Sequence, residues 1–157
     1  MLDKKILDPC CSGRMFYFDK EDRRVLFCDI RNFETELCDN RHFAVKPDLQ
    51  IDFTDMPFKD NLFNLVIFDP PHLLCKQVKP TAYLKIKYGT LHPNTWQDTL
   101  QKGFSECFRV LKPGGILIFK WSEVDIKTNE VLKLTPYQPL IGQRNGKRGI
   151  WVTFVKS

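Results

Sequence analysis

Asp69-Pro70-Pro71-His72 brings together the groups needed to hold a planar amine. Two consecutive prolines keep the backbone extended and remove two N–H donors, so the carbonyls there are free to accept from a ligand. A carboxylate beside a rigid carbonyl is an acceptor pair for an N–H₂ group, and the ring that follows can stack on a base. A second set of acids is Asp8, Asp29 and Asp52, each closing a short apolar run. In an open parallel sheet, ligands bind just beyond the carboxyl ends of the strands. Asp29 follows Asp8 by about 20 residues, the separation at which a carboxylate ending a second strand accepts from ribose hydroxyls. Between them, Pro9-Cys10-Cys11-Ser12-Gly13 is built of small residues that let backbone N–H groups approach a ligand closely. Carboxylates at strand ends are also ordinary turn formers, and Pro-Pro also simply ends strands.

The elements that must position these groups alternate as in a layered α/β fold. Lys5–Asp8, Val25–Cys28 and Leu49–Asp52 read as short strands. Leu65–Phe68 and Ile116–Phe119 are continuous apolar runs, the pattern of strands buried on both faces. Asn94 with Gln97 three residues on predicts a capped helix start. Trp96, Leu100, Phe104, Cys107, Phe108 and Leu111 then share one face, and Pro113-Gly114-Gly115 stops the helix. Ile150–Val155 follows a turn-rich stretch from Gly142 to Gly149, which predicts a hairpin with a basic tip. Met15–Phe18 offers about two helical turns at most.

The chain has 157 residues, 24 Lys and Arg against 19 Asp and Glu, and a net charge of +5, enough for one domain but not a strongly basic one. Its longest purely apolar runs are four residues, far short of a membrane span. No signal peptide is evident, so the six cysteines are expected to be reduced in a cytoplasmic compartment. Cys28, Cys38 and His42 match no common zinc spacing, and no metal is expected.

Asp69-Pro70-Pro71-His72 resembles the [Asp/Asn/Ser]-Pro-Pro-[aromatic] motif of S-adenosylmethionine-dependent amino-methyltransferases that modify adenine N6 or cytosine N4. The wider chain is similar to class I methyltransferases in the same order. Ile6–Gly13 resembles their first motif, Asp52–Phe63 the loop flanking the cofactor adenine, and Arg109–Ile118 the junction of a helix with the fifth strand. The resemblance implies one domain over residues 1–157 with a Rossmann-like methyltransferase fold, a mainly parallel twisted sheet ending in an antiparallel hairpin. It also implies the cofactor S-adenosyl-L-methionine. By the same resemblance Asp8, Ser12 and Gly13 lie by the methionine part, Asp29 at the ribose, and Asp52 and Phe53 at the adenine, with Cys10 and Ile30 also among the cofactor-binding residues. Asp69 and Pro70 would orient the target amine, with Asp69 also touching the cofactor and His72 stacking. The chain departs from the family in three places. The first motif keeps only Gly13, the fourth position of the Pro-Pro motif is His72, and Ile30–Asp48 reads as an insertion.

The chemistry implied is direct methyl transfer, with acceptors localising the amine lone pair. A base inside a duplex would have to be flipped out. Lys76, Lys79, Lys85 and Lys87, interleaved with Tyr83 and Tyr88, suit a nucleotide with its phosphates, which makes DNA or RNA the expected partner. Arg144, Lys147 and Arg148 could extend that surface, and a solvated lysine-rich loop is the plainer alternative. Methylation of a small molecule or protein amide, or a degenerate fold serving as a binding subunit, are the competing functions.

Overall fold

In this computed structural model, which describes residues 4–75 and 83–157, the apolar runs become the middle of one sheet. The strands are Ile6–Asp8 (β1), Val25–Asp29 (β2), Phe33–Glu36 (β3), His42–Val45 (β4), Leu49–Gln50 (β5), Phe63–Phe68 (β6), Leu111–Ser122 (β7), Ile141–Asn145 (β8) and Gly149–Val155 (β9). The helices are Tyr83–Tyr88 (α1), Trp96–Val110 (α2) and Thr128–Leu132 (α3). Seven strands join in the order β5-β2-β1-β6-β7-β9-β8, with β3 and β4 forming a separate antiparallel pair. β5, β2, β1, β6 and β7 are parallel neighbours, while β9 runs antiparallel to both β7 and β8. From β1 the chain moves outward through β2 to β5 and then returns to the other side of β1. The order reverses between β1 and β6, where the carboxyl ends of two parallel strands splay apart into a crevice.

Helix α2 packs Leu100, Phe104, Cys107 and Phe108 onto one face of the sheet. Its Phe104 ring lies 5.4 Å from that of Phe68 and 5.0 Å from that of Phe119. Each buried side chain of this size contributes about 1.5–3 kcal/mol. Gly103 permits the close approach, since a Cβ there would lie 2.8 Å from both the Phe53 and Phe68 rings. The helix begins one residue later than the Asn94 pattern predicts, with Thr95 at the N-cap position and no side-chain cap. A turn centred on His92 takes over instead, its carbonyl accepting from Trp96 N–H and its Nδ1 from Asn94 N–H. Leu111 leaves the helix to begin β7, which runs through Pro113-Gly114-Gly115. Gly114 at φ 74° absorbs the irregularity there, as the pairing with β6 shifts register between Phe63 and Leu65.

The opposite face is covered differently. Residues 9–24 form turns, and Met15–Phe18 is not helical. Ser12 and Arg14 take left-handed conformations, φ 46° and 52°, which no helix accommodates. The turns place Cys11 and Tyr17 on Val25 and Phe27, with the Arg14 guanidinium 4.0 Å above the Phe27 ring. This cover shields β2 and part of β1, and Phe16 reaches Trp151 of β9. Leu65 and Ile67 are half-buried, and Ile116 and Val155 are 41% and 43% exposed. β6 and β7 are thus fully buried on one face rather than two, because no described helix crosses the second. The insertion Ile30–Asp48 is the β3–β4 hairpin, whose Leu37, Phe43 and Val45 form a small core of their own with Tyr83 and Ile86 of α1. Among the described residues no helix is long and apolar enough to cross a membrane.

Candidate cofactor and substrate cleft

A cleft with about 670 Å³ of atom-free space, partly open to solvent, lies at the carboxyl ends of β1, β2 and β6. Of the expected residues, Cys10, Ser12, Asp29, Ile30, Phe53, Asp69, Pro70 and Tyr88 line it, and Met15, Phe16, Arg31 and Gly89 join them. The sheet order brings these together, since β1, β2 and β6 are adjacent and their following loops all leave from one edge.

Asp8 is fully buried and lies beneath the cleft rather than in its wall. Its Oδ1 accepts from the Cys10 N–H at 3.2 Å and its Oδ2 from the Tyr17 hydroxyl at 2.8 Å. Burial pushes its carboxyl up to about 8; the charges of Asp69 and Asp29 add to that, and the two hydrogen bonds oppose it. Asp29 lies in the wall, its Oδ2 taking the Ser12 N–H at 2.9 Å. Arg31 clasps the same carboxylate through its backbone N–H at 2.9 Å and Nε at 3.1 Å, while Nη1 reaches the Ile86 carbonyl. Phe53 is buried and lines the cleft, but Asp52 stands beyond the end of β5 in an exposed turn. There its Oδ1 is taken by the Thr54 N–H and hydroxyl. Gly13 sits in a neighbouring groove, where a Cβ would come within 2.7 Å of the Phe43 ring.

Asp69 and Pro70 leave the end of β6 directly into the cleft. The Asp69 Oδ2 accepts from Lys120 Nζ at 2.8 Å. Burial pushes the Asp69 carboxyl up, and the Lys120 charge and hydrogen bond pull it back down. No motif marks Lys120; the strand register brings it to the site. Phe68 pairs with Phe119 in parallel register, so the residues following each end up side by side. His72, in contrast, does not line the cleft. The chain turns inward after Pro71, burying His72 with its ring 5.2 Å from that of Tyr88 and 6.2 Å from that of Trp121. Burial, helped by the Lys120 charge, pushes the imidazole down to about 4. Tyr88, Phe16 and Phe53 are the aromatic residues on the cleft wall, and His72 is not among them.

The basic and aromatic residues expected to meet a nucleotide divide. Tyr83 and Lys87 line the groove beside the cleft, and Lys85 faces a shallow depression with Arg31 and Phe33. Lys76 and Lys79 lie outside the described residues. Arg144 is paired with Glu123 at 3.1 Å on the edge strand β8, at the other end of the sheet from β2. No group of three or more potential metal ligands occurs among the described residues.

No protein-family model matches the chain, and none of the curated proteins matches it. Solved structures do. The PH0226 protein of Pyrococcus horikoshii superposes with a TM-score of 0.62 at 16% identity, covering 97% of this chain and 81% of its own. A SAM-dependent methyltransferase from Methanosarcina mazei superposes at 0.59 with 13% identity, over 99% of this chain and 93% of its own. The chain has the Rossmann-like methyltransferase fold. A third likeness is the 1,6-didemethyltoxoflavin-N1-methyltransferase of Burkholderia thailandensis, solved with S-adenosylhomocysteine. It superposes at 0.52 with 15% identity, covering 97% of this chain and 70% of its own. In this chain the order and direction of the strands set the crevice between β1 and β6.

Proposed function

We propose that the cleft holds S-adenosyl-L-methionine and that the chain methylates an exocyclic amino group of a nucleobase in DNA or RNA, adenine N6 foremost. The residues present fit the cofactor. The negative field of Asp29 and Asp69, already strong enough to help raise the buried Asp8, suits a cationic ligand. Asp29 would accept from the ribose hydroxyls, Phe53 and Ile30 would flank the adenine, and the Cys10–Ser12 backbone would approach the methionine part. When bound, the cofactor supplies an electrophilic methyl group on a sulfonium.

The observation that carries the reading is that Asp69 and Pro70 share one cleft with Asp29 and Phe53. An exocyclic amine is a poor nucleophile because its lone pair is delocalised into the ring. With Lys120 on Oδ2, the second oxygen of Asp69 and the Pro70 carbonyl accept the two amine N–H groups and localise the lone pair on nitrogen. Lys120 opposes the burial that raises the Asp69 carboxyl. Tyr88 stacks on the base, and His72, neutral behind it, supports the ring. Holding the reactants in line is worth up to about 7–11 kcal/mol of a barrier, and acceptors aimed at the developing positive nitrogen add to it.

The test is transfer of labelled methyl from S-adenosylmethionine to a panel of DNA, RNA, protein and heteroaromatic small molecules, followed by nucleoside analysis. Label in N6-methyladenosine or its deoxy form is expected. Label on protein or on a small heteroaromatic would replace the nucleobase by that substrate. No transfer, with no calorimetric heat on adding the cofactor, would sink the enzymatic reading.

A further inference from the structure

The cleft does not end at Ser12 and Met15. Both residues also line a second, larger groove of about 1030 Å³, bounded by the turns after β1, the β3–β4 hairpin and α1. Its lining carries five formal cations, Arg14, Lys20, Arg41, Lys46 and Lys87, of which Arg14 pairs with Glu21 and Asp48 and Lys46 with Glu34. Arg14 is nearly buried and structural. Its guanidinium donates to the Lys20 carbonyl at 2.6 Å and the Lys46 carbonyl at 2.7 Å, tying the two walls together with Lys20 and Lys46 on either side. Lys20 is exposed and has no carboxylate partner among the described residues.

Further along, Arg41 Nη2 and Lys87 Nζ both donate to one neutral oxygen, the Tyr83 hydroxyl, at 2.7 Å and 3.1 Å. The two cations therefore lie within about 6 Å of each other, a range in which like charges disfavour one another unless an anion joins them. Asp39 pairs with Arg41 from outside the groove, and Lys87 has no carboxylate partner among the described residues. The Tyr83 ring between them has the Lys87 ammonium 4.9 Å from its centroid. The Phe43 ring, admitted by the missing side chain of Gly13, adds an apolar surface beside the charges. Cations spaced along a groove with rings between them are what a polynucleotide backbone with unstacked bases requires.

We propose that this groove holds the phosphodiester backbone of a single-stranded polynucleotide, its cations Arg41, Lys87 and Lys20 each meeting a phosphate, while the adjoining target base enters the cleft past Ser12 and Met15. The proposal rests on the nucleobase reading above for the last clause only. The β3–β4 hairpin, an insertion with its own small core, is then the element that carries substrate contact outside the cofactor cleft.

The experiment is fluorescence anisotropy of the full chain with a labelled twelve-nucleotide oligo-dA over a series of salt concentrations. Each single-strand phosphate contact contributes about 0.7 to the slope of log K against log salt. The double variant Arg41→Gln/Lys87→Gln should lower the slope by about 1.4, Lys20→Gln by about 0.7 more, and Arg41→Lys should leave it as in the parent. Circular dichroism melting checks that the variants fold. A parental slope in the folded double variant would overturn the proposal, as would AMP binding that these variants abolish while oligo-dA shows no salt-linked binding at all. If the slope falls as expected but the parent chain methylates no nucleobase, the groove stands and the catalytic reading falls. If DNA or RNA is methylated while the double variant keeps the parental slope, the groove falls alone.

Discussion

Lys120→Met isolates what the ion pair does for Asp69. Methionine keeps a side chain of similar length while removing the ammonium, which also lies 5.6 Å and 5.8 Å from the centroids of the Phe16 and Trp151 rings. The pair is 2.8 Å long, with side chains 25% and 14% exposed. A bare Coulomb sum at an effective dielectric of 20 puts an upper bound near 6 kcal/mol on such a pair. The net worth of a hydrogen bond to a charged group is about 1.5–3 kcal/mol. Losing that interaction raises the Asp69 carboxyl. The sign follows from the causes: burial raises this carboxyl and Lys120 lowers it, so deleting Lys120 leaves burial unopposed. A protonated Asp69 is a donor where the amine needs an acceptor. The acid limb of kcat/KM against pH should therefore move alkaline, costing about ten- to a hundredfold in rate at its acid end, with most of the rate returning above it. Lys120→Arg should hold the limb in place. The assay is initial-rate methyl transfer from pH 5 to 9, and a folded Lys120→Met protein with its acid limb unmoved would refute the reasoning.

Asp29→Asn removes the charge that Arg31 and the Ser12 N–H share, and should weaken S-adenosylhomocysteine binding by about 1.5–3 kcal/mol, roughly ten- to a hundredfold. Calorimetry reads this, and an unchanged dissociation constant removes the ribose assignment. Gly103→Ala gains helix propensity of about 1 kcal/mol but drives a methyl group to 2.8 Å from Phe53 and Phe68, an overpacking cost of about 1–3 kcal/mol. The urea midpoint should fall or stand still, with weaker cofactor binding as Phe53 shifts; a clear rise would show that the rings yield freely. Asp8 holds its proton in the folded state to about pH 8, but in the unfolded chain only to the ordinary carboxylate value. The folded state thus binds more protons across that window, so stability falls as pH rises through it. Asp8→Asn removes the titration, and its melting temperature should depend less on pH between 5 and 8; equal slopes in mutant and parent would contradict the buried, protonated Asp8.

The apolar runs and their closing acids made the sheet legible. Strand pairing needs only short runs of β-formers, and each run found its strand. The C-terminal hairpin was legible for the same reason, as Gly146 at φ 67° and its polar neighbours turn between β8 and β9. Burial of the second face was not. A run such as Leu65–Phe68 states that its residues are apolar, but whether a helix covers them depends on what the intervening chain does. Here residues 9–24 make turns and Ile30–Asp48 makes a hairpin, so half the face stays open.

In the site, the amino-acid sequence by itself determined which acids and which rigid carbonyl stand at strand ends, because type and order along the chain are enough to place a residue just past a strand. Which of them face one cavity was decided only by the fold. Asp8, Asp52 and His72 are close in sequence to residues that line the cleft, yet a buried hydroxyl partner, an exposed Asx turn and an inward bend after Pro71 take each of them out of its wall. Lys120 and Arg31 enter through long-range register and side-chain reach, which one-dimensional spacing does not encode. Charge is the last such property: the ionisation of Asp69 follows from how deeply the strand ends are buried and from a lysine 51 residues away, a distance that only tertiary folding closes to 2.8 Å.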